Sequence, residues 1–362
     1  MTLVPGTLMD TRPLSLRPYF SICVPQYNRT SFILKAINSF AEQTFRDFEV
    51  CISDDQSPDG RQGEVTAALE KAGIPFAFYI QSTNRRYDGN LRASIGLARG
   101  RYCLLMGNDD ALAGPATLAE YVRDLETYGP AGVVIPNFAD FTDRKKVSRV
   151  RATRNFGSGP AVAAYRFRNF SFVSGILLDR EAAQQFATDR WDGSEYYQMY
   201  VGCRIIASGG NLLEVDRVTV WKDIPVPGEE VDSYVKRSKV WPCPIIERPL
   251  PLNLFGRLVA DAIIQYTSGE QRRRLNERIF RQLYLYTYPY WLTEYRRVQS
   301  WRFAAGVALG MRPERSMAGV DLIGTRRWRT IWAYRLATAA GLAVPLGLFK
   351  RIRATLYRLA KR

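Results

Sequence analysis

FSICVPQYNRTSFILKAINSFAEQTFRDFEVCISDDQSPDG, residues 20–60, decides the fold. It opens on an apolar run, Tyr19 to Val24, too short for a helix and rich in residues that suit a pleated surface. A Thr30/Ser31 cap follows, then Ile33, Ile37 and Phe40 at i, i+4 and i+7, the spacing of a helix with one buried face. A second strand, Phe48 to Ser53, runs straight into Asp54 and Asp55 before Ser57-Pro58-Asp59-Gly60 turns the chain. Two adjacent carboxylates repel each other. A strand that ends on such a pair calls for a cation or a hydrogen-bond donor at that place.

Working outward, Phe76 to Ile80, Tyr102 to Met106 and Val133 to Ile135 repeat the strand pattern, with helix-like stretches between them. A βαβα order predicts an α/β fold, a mostly parallel sheet with helices on both faces. Ligands bind such sheets beyond the carboxyl ends of the strands. There the first strand finishes in Val24-Pro25-Gln26-Tyr27-Asn28-Arg29, the second in Asp54-Asp55, and a later one in Gly107-Asn108-Asp109-Asp110. An acidic pair after a buried strand can hold Mg²⁺ or Mn²⁺ while diphosphate oxygens and waters complete the octahedron. The same pair could instead cap the helix that follows or lie in a solvated loop.

Composition narrows the chemistry. The 362 residues are 46% hydrophobic and 24% charged, enough for a sizeable core and unlike a disordered chain. There is no histidine, which removes His-based nucleophile systems, His-ligated zinc and imidazole acid/base chemistry, so catalysis would rest on carboxylates. The five cysteines (Cys23, Cys51, Cys103, Cys203, Cys243) form no C-x-x-C pair and read as reduced, mostly buried thiols. The N-terminal residues lack a basic start followed by an apolar segment, so a cytoplasmic location is expected. The net charge of +16 predicts attraction to polyanions.

The blocks FSICVPQYNRTSFILKAINSFAEQTFRDFEVCISDDQSPDG, NRRYDGNLRASIGLARGRYCLLMGNDDAL and FVSGILLDREAAQQF, the last followed by WDGSEYY, resemble the GT-A glycosyltransferases of family 2 in order and spacing. The middle block is similar to bacterial enzymes that add sugars to O-antigen or capsule units on a lipid carrier. The resemblance implies an inverting, metal-dependent, non-processive transferase that takes a nucleoside-diphosphate sugar to a polyprenyl-diphosphate-linked saccharide. It implies that Asp54 accepts a hydrogen bond from the nucleobase, that Asp55 supports the loop or ribose, and that Pro25, Tyr27, Asn28 and Asn108 shape the nucleotide pocket. Asp110 would be the main ligand of Mn²⁺ or Mg²⁺, with Asp109 a ribose contact or second ligand. One of Arg85, Arg86 and Arg92 would help hold the nucleotide, and Arg92 is the one carried forward. Gln26 departs from the family's small or hydroxylic residue and is expected to alter selectivity. For the catalytic base Glu195 aligns with the family's carboxylate and Asp192 competes; Asp192 and Ser194 also suit a helix N-cap.

Domain bounds read as an extension over 1–18, a catalytic domain over 19–235, a helical region over 236–325 and basic amphipathic helices over 326–362. The last helix sets Leu348, Phe349, Ile352, Leu356 and Leu359 against Lys350, Arg351, Arg353, Arg358 and Lys361. Such a helix lies on an anionic membrane surface, here the inner face of the cell membrane, or docks on its own domain. Two other function classes stand beside the transferase. A nucleic-acid-binding protein rests on charge alone and has no recognition motif behind it. An inactive transferase-like scaffold would not require Asp54, Asp109, Asp110 and Glu195.

Overall fold

The computed structural model describes residues 4–15, 17–229 and 251–361. Its strands are β1 (Leu8–Asp10), β2 (Phe20–Gln26), β3 (Phe48–Asp54), β4 (Phe76–Ile80), β5 (Tyr102–Leu105), β6 (Ala111–Leu112), β7 (Val133–Asp140), β8 (Lys146–Val147), β9 (Arg154–Gly157), β10 (Leu177–Asp179) and β11 (Leu212–Lys222). They join in the order β1-β4-β3-β2-β5-β10-β7-β11-β6, with β8 on β7 and β9 on β11. The run β4-β3-β2-β5 is parallel, as the βαβα pattern requires. The rest of the sheet is mixed in direction. β10 enters antiparallel between β5 and β7, and β1, β6, β8 and β9 are antiparallel additions. Because β10 opposes both its neighbours and β11 is parallel to β7, strands β2, β3, β5, β7 and β11 all end on one rim.

The period of two along the strands feeds two cores. Ile22, Val24, Val50 and Ile52 pack with helices Thr30–Ala41 and Thr117–Tyr128 on one face. Cys23, Cys51 and Cys103 pack with helices Arg86–Gly96 and Tyr197–Ala207 on the other. Burial pushes the Cys23 and Cys51 thiols well up, which keeps them unreactive. Cys23, Cys51, Cys103 and Cys203 are free and buried, and Cys243 lies outside the described residues.

Two of the expected boundaries bear on how the fold is read. Within the segment expected as an extension, Leu8–Asp10 pairs with β4 as an edge strand. Behind it the buried Arg12 bridges Asp10 (2.7 Å) and Glu49 (3.1 Å) and donates to the Leu97 carbonyl (2.7 Å). The boundary at 235/236 falls outside the described residues. From Pro251 onward the chain is helical, and Leu258, Phe280, Tyr284 and Tyr288 belong to the same core as Cys23 and Leu91.

The tail is docked rather than free. Helices Gly324–Ala343 and Leu346–Lys361 bury Ala333, Ala337, Phe349 and Ala360, while Arg353 pairs with Glu294 at 2.8 Å. The expected apolar face therefore splits: Phe349 turns inward and Leu348, Ile352 and Leu359 remain exposed. Among the described residues no helix is long and apolar enough to cross a membrane.

Candidate active site

The rim opens into a cavity of about 700 Å³, within the range of roughly 300–1,000 Å³ usual for small-molecule sites. Pro25, Tyr27, Asp55, Asn108, Asp109, Asp110 and Glu195 are all on its wall. Residues 170 positions apart in sequence thus meet because β2, β3 and β5 end together and the loop before helix Tyr197–Ala207 folds over them.

The adjacent acids Asp54 and Asp55 separate. Asp54 is buried, and its carboxylate accepts the Ser57 N–H (2.8 Å) and the Ser57 hydroxyl (2.7 Å), closing the turn. Asp54, expected to meet the base, is not on the cavity wall, whereas its neighbour Asp55 is. Asp55 accepts the Arg85 N–H at 2.6 Å and faces the cavity. Burial raises both carboxyls above their usual range.

Gln26 and Asn28 also take other places than expected. Gln26 is fully buried, its amide donating to the Asn28 carbonyl (2.7 Å) and accepting from Asn108 Nδ2 (2.9 Å), so it holds Asn108 instead of meeting a ligand. Asn28 is not on the wall; its N–H donates to Ser57 Oγ at 2.8 Å and ties the end of β2 to the β3 turn.

Asp109 and Asp110 converge. A Cβ on Gly107 would stand 3.0 Å from Asp110 Oδ2 and 3.1 Å from Asp109 Oδ1, so an oxygen of each carboxylate lies close to the same point and a larger residue there would crowd both. Asp109 pairs with Arg29 at 2.5 Å. Asp110 is buried and accepts the Ser174 hydroxyl and, at 3.0 Å, the Asp223 N–H. Burial, then the charge of Asp109, pushes its carboxyl well up. Two like-charged oxygen donors turned toward one point, one of them in a site that disfavours its charge, fit a hard divalent cation. Among the described residues no three acidic, His or Cys side chains form a closed cage. A divalent cation held by this pair would take its other ligands from phosphate oxygens and water.

Asp192 and Arg92 leave the site together. Arg92 clamps Asp192 through two contacts (2.5 and 2.8 Å) and donates to the Thr188 carbonyl, and neither side chain is on the cavity wall. Arg92, expected at the nucleotide, and Asp192, the competing base, are thus paired with each other and not on the wall. Of the three arginines weighed, Arg86 is the one on the wall.

Asp88 was not anticipated. It lies on helix Arg86–Gly96, 2% exposed, and its carboxylate accepts the N–H groups of Gly193 (2.9 Å), Glu195 (2.8 Å) and Tyr197 (3.0 Å). Burial outweighs those bonds and raises the carboxyl to about 6. The three bonds hold Glu195 at φ 59°, a left-handed conformation that a non-glycine residue keeps only when its surroundings impose it. Asp88→Asn replaces an acceptor oxygen with a donor facing an N–H group. We expect kcat to fall on the order of 100-fold through misplacement of Glu195, with donor KM unchanged; steady-state kinetics of the variant checks it. Lys222 and Asp223, an ion pair at the end of β11, also line the cavity. Burial opposes the Lys222 charge, but Asp223 outweighs it.

Comparison with known proteins agrees with this geometry. The model of "Glycosyl transferase family 2" matches residues 21–184. The abequosyltransferase RfbV of Salmonella typhimurium is 28% identical over 207 residues, 50% of this chain and 56% of that protein. The amylovoran biosynthesis glycosyltransferase AmsB of Erwinia amylovora is 28% identical over 178 residues, 47% of this chain and 58% of that protein. The chain thus matches little more than half the length of these curated relatives. In fold it is similar to residues 1–349 of S. aureus TarS, solved with UDP: TM-score 0.58 at 15% identity, over 89% of this chain and 90% of that one. Residues 21–184, which carry the parallel strands and the Asp109-Asp110 pair, are a glycosyl transferase family 2 domain of GT-A type.

Proposed function

We infer that this protein transfers a sugar from a nucleoside-diphosphate sugar to a hydroxyl of a saccharide acceptor in bacterial surface-polysaccharide synthesis, with inversion at the anomeric carbon. The observation that carries this reading is the presence of Asp109, Asp110 and Glu195 on the wall of one cavity at the rim of a family 2 domain. Asp55 accepts the ring N–H of the base, and the half-exposed Tyr27 offers a face on which the base stacks. Asp110 and Asp109 are the residues that would hold Mn²⁺ or Mg²⁺, which when bound supplies charge neutralisation for the departing diphosphate. Glu195 accepts the acceptor hydroxyl proton as that oxygen bonds to the anomeric carbon. The bond from that carbon to the diphosphate oxygen breaks, and its electron pair leaves with the nucleoside diphosphate. A panel of nucleoside-diphosphate sugars with Mn²⁺, read by released nucleoside diphosphate and by thermal shift, tests it. Saturating donor at a hundredfold excess over Kd should stabilise the fold by about 2.7 kcal/mol. No shift and no release with any donor would overturn the reading.

The acceptor is read as lipid-linked and the enzyme as peripheral on the inner face of the membrane. Support comes from helix Gly324–Ala343, where Trp328 (58% exposed), Trp332 (51%) and Leu336 (63%) follow one another at i, i+4 and i+8 among arginines. Deleting the tail would tear out core residues, so point variants are the cleaner test. Trp328→Ala/Trp332→Ala/Leu336→Ala should release the protein from anionic vesicles in cosedimentation while its Tm stays within about 2 °C. Unchanged binding would overturn membrane contact by this face.

A further inference from the structure

A second cavity, of about 580 Å³, lies among the 3₁₀ turn Phe167–Ser171 and the helices Gly269–Gln282 and Gly324–Ala343. Its wall carries seven arginines and one carboxylate, Glu277. Arg274, Arg278 and Arg281 stand at i, i+4 and i+7 of one helix and so share a face, although like charges at that spacing weaken a helix. Arg326 pairs with Glu277 at 2.5 Å, and the same carboxylate is 3.8 Å from Arg281 and 4.0 Å from Arg329. Arg326 also pairs with Glu270, which is not on this wall, so two carboxylates serve three guanidinium groups. Arg151, Arg274 and Arg278 have no carboxylate partner among the described residues. Arg168, only 7% exposed, meets neutral groups: Gln282 Oε1 (3.1 Å), the Leu359 carbonyl (2.5 Å) and the face of Tyr286 (4.7 Å). Burial pushes its pKa down to about 10.

A buried guanidinium group with no counter-charge, beside six more served by Glu277 and Glu270 alone among the described residues, is unfavourable until an anion enters. Guanidinium forks match phosphate oxygens bidentately, and a diphosphate brings several charges in a compact group. Apolar groups stand at the same place: Leu285, Tyr286 and Leu359 are on the wall and about 40% exposed. We propose that this cavity binds the diphosphate of a ligand carried on an apolar chain. Under the transferase reading, on which this step rests, that ligand is the acceptor. Arg168 is three residues from Ser171, so their backbones are at most about 11 Å apart; Ser171, Phe172 and Val173 line the catalytic cavity. The buried Arg149 fixes that segment, donating to the carbonyls of Asn169 (3.1 Å), Phe172 (2.7 Å) and Ser174 (3.3 Å). The segment from Arg168 to Val173 thus runs from the wall of this cavity to the wall of the catalytic one.

Equilibrium binding to the full chain tests this with farnesyl diphosphate, inorganic pyrophosphate and a single-stranded oligonucleotide as probes. Farnesyl diphosphate should bind wild type and Glu195→Gln equally, at least tenfold more tightly than pyrophosphate, and at least tenfold less tightly to Arg274→Gln/Arg278→Gln. It should also protect Arg274 and Arg278 of the wild type from phenylglyoxal, a readout that needs no variant to fold. Three results would overturn the proposal: no protection, pyrophosphate binding as tightly as farnesyl diphosphate, or displacement of farnesyl diphosphate by the oligonucleotide. Donor turnover with a short soluble acceptor reports on the transferase reading separately. Turnover without farnesyl diphosphate binding sinks the cavity alone, and binding without any turnover sinks the transferase reading alone.

Discussion

Glu195→Gln should lower kcat by about a thousandfold, within the roughly 10²–10⁴ that a positioned general base contributes, and leave donor binding intact. The amide is nearly isosteric, and the Glu195 main chain stays fixed by its N–H to Asp88 at 2.8 Å. What is lost is the group that takes the acceptor proton. Asp192→Asn is the informative partner variant. Its carboxylate is engaged by Arg92 away from the cavity wall, and a partly exposed pair of this kind contributes roughly 0–1 kcal/mol to stability. Its kcat should stay within about threefold of wild type. Single-turnover rates with donor affinities measured in parallel decide the matter. If Asp192→Asn proved the more damaging change, the base would be Asp192 and the Arg92 clamp would have to open during turnover.

The contrast between those two carboxylates marks where sequence stops being informative. Strands β2 to β5 and helix Thr30–Ala41 were legible because periodicity is local: Ile33, Ile37 and Phe40 fix a helix face without knowledge of anything distant. Asp192 and Glu195 differ only in what reaches them from helix Arg86–Gly96. Arg92 removes one from the site and Asp88 orients the other, across about 100 residues of chain. The separate placement of Asp54 and Asp55 has the same origin. Both are legible as a strand-end pair, but which one turns into the cavity depends on the Ser57 turn that consumes the other. Strand β1 is three residues long, its pattern too short to detect, and exists because β4 offers an edge. Lys222-Asp223 had a usable signal, a charged pair at the end of an apolar strand. Its meaning depended on β11 running parallel to β7, which no local pattern announces. The tail's apolar face was read correctly as apolar, yet amphipathicity cannot say whether lipid or protein covers it; Tyr290 and Trp291 cover Phe349.

Asp110→Asn should separate the stability of the site from its function. At pH 7 the wild-type carboxylate is buried beside Asp109, and burial and that neighbour both disfavour its charge. The amide fits the same contacts, its oxygen accepting the Asp223 N–H and its NH₂ donating to Ser174 Oγ, which already accepts the Gly107 N–H at 2.8 Å. The Ser174 hydroxyl loses Asp110 as its acceptor, a cost that removing a buried, imperfectly compensated charge offsets. In EDTA the variant should therefore melt no lower than wild type. Adding Mn²⁺ with a nucleoside diphosphate should raise the wild-type Tm by several degrees and leave the variant nearly unmoved. Transfer should fall by at least 10²–10³, the scale of losing one electrostatic contact to the developing charge, and EDTA should silence the wild type to a similar degree. A wild type fully active in EDTA, or a variant that keeps both its Mn²⁺ shift and its turnover, would mean that the Asp109-Asp110 pair holds no metal and that Arg29 and Lys222 carry the diphosphate instead.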